Sequence, residues 1–179
     1  MTEFWIALTS VATVAMAFVA VRRFLIHDKQ KALFFSIQMN DLTENEYRTV
    51  QEKMLAVIDI TKAMKGFSHI YYYNRNLPTH ESFIKADFRI QEYMSELRKC
   101  NYFIAVITKR VHSSIYFEAG YALAKGKQCI FYVKRSADAL PTVMKRSVEV
   151  YDTAKVVEFD DLDDVVGKMK ELLPHLNSM

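Results

Sequence analysis

The fold is decided by the stretch from residue 102 to residue 133, YFIAVITKRVHSSIYFEAGYALAKGKQCIFYV. It opens with the apolar run Tyr102–Thr108 and closes with the apolar run Cys129–Val133, and a segment typical of a helix separates them. Strands that are apolar throughout and joined by a helix are characteristic of a parallel sheet covered on both faces. The stretch therefore predicts one β-α-β unit of an α/β protein.

The same alternation continues on both sides of this unit. Apolar runs at Ala32–Met39 and His69–Tyr73 predict two earlier strands, and Lys155–Phe159 predicts a fifth. The order predicts a five-stranded, doubly wound parallel sheet of the flavodoxin-like type, in one α/β domain over residues 31–179. The further helices are expected over residues 43–66, 82–99, 140–148 and 162–173.

An uncharged apolar run, FWIALTSVATVAMAFVAV, precedes this domain at residues 4–21. A helix of this length spans roughly 27 Å, close to the thickness of a bilayer's hydrocarbon core. Basic residues follow the run, among them Arg22 and Arg23, and the positive-inside rule then puts the domain in the cytoplasm. We expect residues 1–30 to be a single-pass transmembrane anchor with a basic juxtamembrane segment, in the inner (cytoplasmic) membrane with the N-terminus outside. The alternatives are a secretory signal peptide and a buried core helix.

Composition and missing motifs argue against several classes of protein. The net charge is only +3 and no Lys- or Arg-rich stripe with interleaved aromatic residues occurs, so we expect no nucleic-acid partner. Dinucleotide-binding and P-loop glycine motifs, zinc-hydrolase motifs and clustered metal ligands do not occur in the sequence, so neither a cofactor nor a metal site is expected. Cys100 and Cys129 are interpreted as buried free thiols of a reducing compartment, with a disulfide as the less favoured alternative.

The ligand site of such a sheet is expected beyond the carboxyl ends of the strands. Glu118 stands about one turn inside the helix that begins near Ser113 and Ser114, either of which can cap it. Small residues follow Glu118, so the helix can lie close to the sheet and bring the acid to the crevice. A carboxylate there can act as nucleophile or base, supported by the serine hydroxyls and the helix N-terminus. The alternative is an acid in the first turn that only favours the helix dipole.

A Ser-containing loop followed by FEAGYALAKGKQCIFY resembles the nucleoside 2-deoxyribosyltransferase superfamily. Members of that superfamily carry a Ser-containing loop, then E-x-G-x-A-x-A-x-G-K-P and a strand. The likeness extends more weakly over residues 32–133. The superfamily includes nucleotide N-glycosidases and is related in fold to bacterial TIR-like domains that cleave NAD. The matching positions are Glu118, Gly120, Ala122, Ala124, Gly126 and Lys127.

The resemblance implies cleavage of the N-glycosidic bond of a nucleoside, nucleotide or NAD-like substrate. Glu118 would attack or stabilise C1′ in an oxocarbenium-like transition state, without a metal, and Asp87 would be a second acid. A homo-oligomer is also implied, because sites of the family are often completed by a neighbouring subunit. Ordinary structural roles are the alternatives: a solvated helix acid for Asp87, a cap for Ser114 and a turn residue for Asn40. Substrate contacts are implied for Ser114, Ser113, Gln38, Asn40, Tyr73 and Arg75.

The chain also departs from the family pattern. Ile115-Tyr116 replaces Gly-Thr, Asn101 replaces an Asp, Gln128 replaces the Pro, and the first-strand loop lacks Gly-Pro. These differences favour hydrolysis of a nucleotide or NAD, or binding without turnover, over transfer between free nucleosides. The second hypothesis is therefore a non-catalytic nucleotide-sensing or interaction module, such as a bacterial antiviral-defence effector, favoured if Tyr116 crowds the site. A third is a structural membrane protein with a degenerate fold.

Overall fold

The computed structural model describes residues 31–39, 42–64, 66–87, 89–109, 114–135 and 140–178. The anchor expected over residues 4–21 lies outside these ranges, as do Asn40 and Ser113. Within the described ranges, no helix is both long enough and apolar enough to cross a membrane.

Strands and helices alternate along the described chain. The strands are β1 (Lys31–Ile37), β2 (Phe67–Tyr72), β3 (Tyr102–Ile107), β4 (Gln128–Lys134) and β5 (Ala154–Phe159). The helices are α1 (Glu44–Ala63), α2 (His80–Lys85), α3 (Ile90–Lys99), α4 (Ser114–Ala124), α5 (Thr142–Val150) and α6 (Leu162–Ser178), and a 3₁₀ turn (Tyr73–Asn76) follows β2.

The five strands form one parallel sheet in the order β2-β1-β3-β4-β5. This confirms the predicted five-stranded parallel sheet, and the order is that of flavodoxin-like folds. Phe35 of β1 pairs with Tyr72 of β2 on one side and with Ile104 of β3 on the other. The chain runs from β1 to β2 on one side of it, and then crosses from β2 to β3 on the other side of β1. A crevice is therefore expected at the carboxyl ends of β1 and β3.

Two apolar layers cover the sheet. Phe35 and Ile104 face the layer that includes Met54 of α1 and Met169 of α6. Phe34 and Phe103 face the other layer, which includes residues of α3, α4 and α5. Because successive strand residues point to opposite faces, both faces need apolar side chains, and this explains why β1 and β3 are apolar almost throughout.

The small residues of α4 and of the turn that follows it have two different roles. Ala119 and Ala122 are buried against the sheet, which lets the helix pack closely. Ala124 and Gly126 are exposed and do not take part in that packing. Gly126 has φ +65° and donates its N–H to Leu123 O at 2.9 Å. It therefore ends the helix in a left-handed conformation that glycine adopts without strain.

The helix predicted over residues 82–99 is two helices, α2 and α3. Phe83 and Leu97 have the spacing of one helical stripe, but their side chains pack into the apolar layers on opposite faces of the sheet. One straight helix cannot serve both layers, so the chain turns between Lys85 and Ile90. Asp87 therefore lies in the connection and not on a helix.

Both cysteines are buried free thiols, as predicted. Burial raises the pKa of Cys100 and of Cys129 to about 12, and the Lys127 ammonium opposes the rise at each. At neutral pH both are therefore protonated, apolar core residues.

Candidate active site at the carboxyl edge of the sheet

A cavity of about 340 Å³ lies at the carboxyl ends of β1 and β2. Its wall combines the end of β1, the turn after β2, α2, one residue of α3 and the first turn of α4. The cavity is at the edge where doubly wound sheets bind ligands, but its strand residues come from β1 and β2, and the β3 side contributes only through α4, the helix that follows β3. Its volume is in the range of small-molecule sites.

Glu118 of α4 forms part of this wall and is only 2% exposed. Its neighbours Ala119 and Ala122 bury the same helix against the sheet, so the acid is held at the sheet edge. Within the described residues its Oε2 atom has no hydrogen-bond partner. An unpartnered buried carboxylate oxygen is costly, and such groups are concentrated at functional sites.

Three hydroxyl groups surround the carboxyl of Glu118. Ser36 of β1, Tyr93 of α3 and Ser114 of α4 each make a side-chain hydrogen bond with it. Burial raises the pKa of Glu118 above its ordinary range, and these three hydrogen bonds oppose the rise. Burial disfavours the charged form, whereas hydrogen bonds donated to the carboxylate favour it. The site therefore holds an acid whose proton is retained to a higher pH than that of a surface glutamate.

The ring of Tyr93 is itself held by other aromatic rings. Phe34 meets it edge-on at a centroid distance of 5.0 Å, and Tyr71 and Tyr73 lie at 5.9 and 5.8 Å. Edge-to-face packing of this kind fixes ring orientation as well as burying area. The hydroxyl of Tyr93 is thus delivered to Glu118 by a rigid side chain.

The rest of the wall is largely aromatic. Phe35, Tyr72, Tyr73 and Phe83 contribute to it, and among the described residues that line the cavity none carries a cationic side chain. Aromatic faces suit a flat, weakly polar group such as a nucleobase. Tyr116 does not line the cavity but packs against the apolar layer on the α4 face.

The structure brings together some of the predicted site residues. Glu118, Ser114 and Tyr73 line the cavity. Gln38 lies beside it, 2% exposed, and its Oε1 accepts backbone N–H groups of Thr108 at 3.1 Å and Lys109 at 3.0 Å. Gln38 therefore ties the end of β1 to the end of β3.

Asp87 and Arg75 lie in a neighbouring groove. The carboxylate of Asp87 is 87% exposed and pairs with Arg89 at 3.6 Å. Arg75 is exposed as well. Tyr72, Tyr73 and Tyr93 line both the cavity and this groove, whereas Glu118 lines only the cavity and Asp87 only the groove.

Sequence reasoning missed three polar members of the wall, Ser36, Tyr93 and Asn74. Ser36 is the one polar residue inside the apolar run of β1, which is a detectable signal. Tyr93 is at helical spacing from Leu97, so its position in the sequence is that of an ordinary core residue of the helix. Asn74 comes shortly after β2, at the carboxyl edge where a ligand site is expected, and this position is its only signal in the sequence.

No group of three or more His, Cys, Asp and Glu side chains in the described part of the chain is arranged to hold a metal ion.

Comparison with known proteins agrees with the fold. No protein-family model and no curated protein matches the chain. Among solved structures it is similar to the CMP N-glycosidase BcmB of Clostridium botulinum, with a TM-score of 0.55 and 13% identity over 79% of this chain and 99% of that one. It is also similar to BlsM, with a TM-score of 0.58 and 15% identity over 83% of this chain and 95% of that one. At this level of identity, the chain shares with them the fold.

Proposed function

We propose that the domain is an N-glycosidase that cleaves the bond between base and sugar in a nucleoside or nucleotide. The observation that carries the proposal is the buried Glu118 carboxyl, with Oε2 unpartnered, in the wall of a cavity of nucleoside-binding character. The similarity in fold to a CMP N-glycosidase supports a nucleotide substrate. A transferase would use the same first step and then pass the sugar to another base instead of to water.

The proposed reaction begins with Oε2 of Glu118 facing C1′ of the sugar. As the bond from C1′ to the base nitrogen breaks, the nitrogen keeps the electron pair and takes a proton from solvent, and positive charge develops at C1′. The carboxylate stabilises that charge and forms an ester to C1′. Water then attacks C1′, gives up a proton to solvent, and releases the free sugar and the carboxylate.

The hydroxyls around Glu118 act as positioning groups in this scheme. Hydrogen bonds from Ser36, Tyr93 and Ser114 fix the carboxyl and favour its ionised form. Asp87, in the neighbouring groove, stays a prediction as the second acid, as do substrate contacts by Arg75, Gln38, Asn40 and Ser113.

We also propose, from the sequence alone, that residues 4–21 anchor the domain in the inner membrane with its catalytic part in the cytoplasm. We likewise propose that the domain self-associates into a homo-oligomer and that an NAD-like molecule is an alternative substrate.

A non-catalytic nucleotide-binding module is the second candidate. The observation in its favour is Ile115, which lies in the cavity wall and is 1% exposed. The superfamily that the chain resembles has glycine at this position. A larger side chain leaves less room for water or an acceptor base beside C1′.

The test is base release by the full-length protein in detergent. Purified protein is incubated with CMP, dCMP, UMP, AMP, IMP, the matching nucleosides and NAD, and free base is measured by chromatography. We expect release from at least one nucleotide, reduced by at least about a thousandfold in Glu118→Gln. Release that is undiminished in that variant would falsify the role of Glu118. Tight binding with no release from any compound would favour the binding module.

A further inference from the structure

The Asn74 side chain occupies the cavity wall together with Glu118 and is only 5% exposed. Its Oδ1 atom has no hydrogen-bond partner within the described residues, as is true of Glu118 Oε2. Two buried acceptors without donors in one cavity are costly, and a ligand that donates hydrogen bonds to them would remove that cost.

The direction in which the Asn74 amide points is set by a relay of hydrogen bonds that starts at its own backbone. The carbonyl oxygen of Asn74 accepts from Gln51 Nε2. A carbonyl can only accept, so the Gln51 amide must turn its NH₂ toward Asn74 and its Oε1 toward Tyr72. The hydroxyl of Tyr72 then donates its proton to Gln51 Oε1 at 2.6 Å.

With its proton committed to Gln51, the Tyr72 oxygen can only accept from the remaining neighbour. Asn74 makes that side-chain hydrogen bond, so its NH₂ group faces Tyr72. Turning the amide over would bring Oδ1 against an oxygen with no proton to give. All three side chains are buried, so water does not relieve such a mismatch.

We propose that this relay makes Asn74 an acceptor toward the ligand and thereby selects nucleotides whose base carries an amino group. The proposal rests on the proposed function, because Glu118 at C1′ orients the sugar. The base then lies among the aromatic residues that surround Asn74, including Tyr72 and Phe83. The amino group of cytosine or adenine donates to Oδ1, whereas the carbonyl of uracil or hypoxanthine at the same position faces it acceptor to acceptor.

The test is equilibrium binding of CMP, UMP, AMP and IMP to the full-length protein by calorimetry, with Glu118→Gln used to prevent turnover. We expect the amino-bearing member of one pair to bind about ten- to a hundredfold more tightly than its keto partner, the effect of one buried unpaired acceptor. Binding is measured directly, so the test stands even if the protein never releases a base.

The relay itself is tested by Tyr72→Phe, which frees the amide of Asn74 to turn. We expect the amino-to-keto preference to fall at least tenfold, chiefly because the keto nucleotide binds better. Asn74→Ala is the second variant and is expected to reduce the preference to near one. Tyr132→Phe is the matched control, because Tyr132 is fully buried outside the cavity and its hydroxyl has no partner in the described structure.

Equal affinity for both members of each pair, or a preference that survives in Tyr72→Phe and Asn74→Ala, overturns the proposal. The same is true if neither pair binds. If Asn74→Ala weakens both members equally, Asn74 contacts a sugar hydroxyl and selection by the base is excluded. Base release that depends on Glu118 but shows no amino preference would leave the proposed function intact and remove only this inference.

Discussion

The hydroxyl of Tyr93 on α3 makes a hydrogen bond with the carboxyl of Glu118 on α4. The two residues are brought together by helices on the same face of the sheet. Because the Tyr93 ring is held edge-on against Phe34, the hydrogen bond is a fixed feature of the cavity wall. A contact of this kind links the ionisation of the acid to the packing of the core.

Removing that hydroxyl should change the pH dependence of base release. Tyr93 lowers the pKa of Glu118 while burial raises it, so Tyr93→Phe leaves the pKa higher than in the unmodified protein. In the proposed reaction the ionised carboxylate is the reactive form, so the acidic limb of the pH–rate profile should move to higher pH. We expect about a tenfold loss of rate near neutral pH, and about 1 kcal/mol or less in stability.

Tyr71→Phe is the control for that profile. Tyr71 belongs to the same group of rings but lies outside the cavity wall. Loss of the Tyr71 hydroxyl should leave the acidic limb of the pH–rate profile at the same pH as in the unmodified protein. An equal shift in both variants would mean that general loosening of the ring cluster, and not the hydroxyl, is responsible.

Glu118→Gln should stabilise the fold at neutral pH and much less in acid. The pKa of Glu118 is raised in the folded state from its ordinary value of 4.5. The unfolded chain therefore ionises first, and the stability that the protonated acid provides is lost as the pH rises through the folded pKa. Glutamine does not titrate, so the stability of Glu118→Gln does not fall with pH for this reason.

Thermal unfolding of both proteins between pH 4 and pH 8 measures this difference. The melting temperature of Glu118→Gln should exceed that of the unmodified protein most at the alkaline end, and the gap should close toward the ordinary pKa of 4.5. A gap that widens in acid would show that the carboxylate is stabilised by its surroundings.

Asp87→Asn decides whether the predicted second acid takes part in the reaction. The carboxylate is exposed and lies in the neighbouring groove, outside the wall that holds Glu118, so we expect less than about a threefold change in base release. Stability should change by less than about 0.5 kcal/mol. A loss of a hundredfold or more at unchanged nucleotide affinity would restore Asp87 to the mechanism.

Two glycines of one segment should respond oppositely to alanine. Gly126 has φ +65°, so Gly126→Ala is expected to cost about 1 kcal/mol of unfolding free energy. Gly120 lies inside α4 with no atom within 4 Å of an added Cβ, so Gly120→Ala should stabilise by roughly 0.5–1 kcal/mol. Urea unfolding of the pair measures both, and the same sign in both variants would contradict the assigned conformations.

The strands could be predicted because burial on both faces requires apolar side chains throughout, which gives an apolar run between helical segments in the sequence. The two-helix arrangement of residues 80–99 could not, because Phe83 and Leu97 fit one helical stripe in sequence while packing into opposite layers. The position of Glu118 followed from the small residues after it, but its partners come from β1 and α3. Ser36 and Tyr93 are far from Glu118 along the chain, and no local pattern pairs them with it.

Gln38 has a further consequence for the cavity. Its side chain joins the ends of β1 and β3 through two backbone N–H groups, and Ser36 lies two residues earlier on β1. These two hydrogen bonds hold the end of β1 beside the end of β3, and the Ser36 hydroxyl already makes a hydrogen bond with Glu118. In the proposed reaction, the hydroxyl groups around Glu118 would therefore already be in place before the sugar binds, which lowers the reorganisation energy of the chemical step.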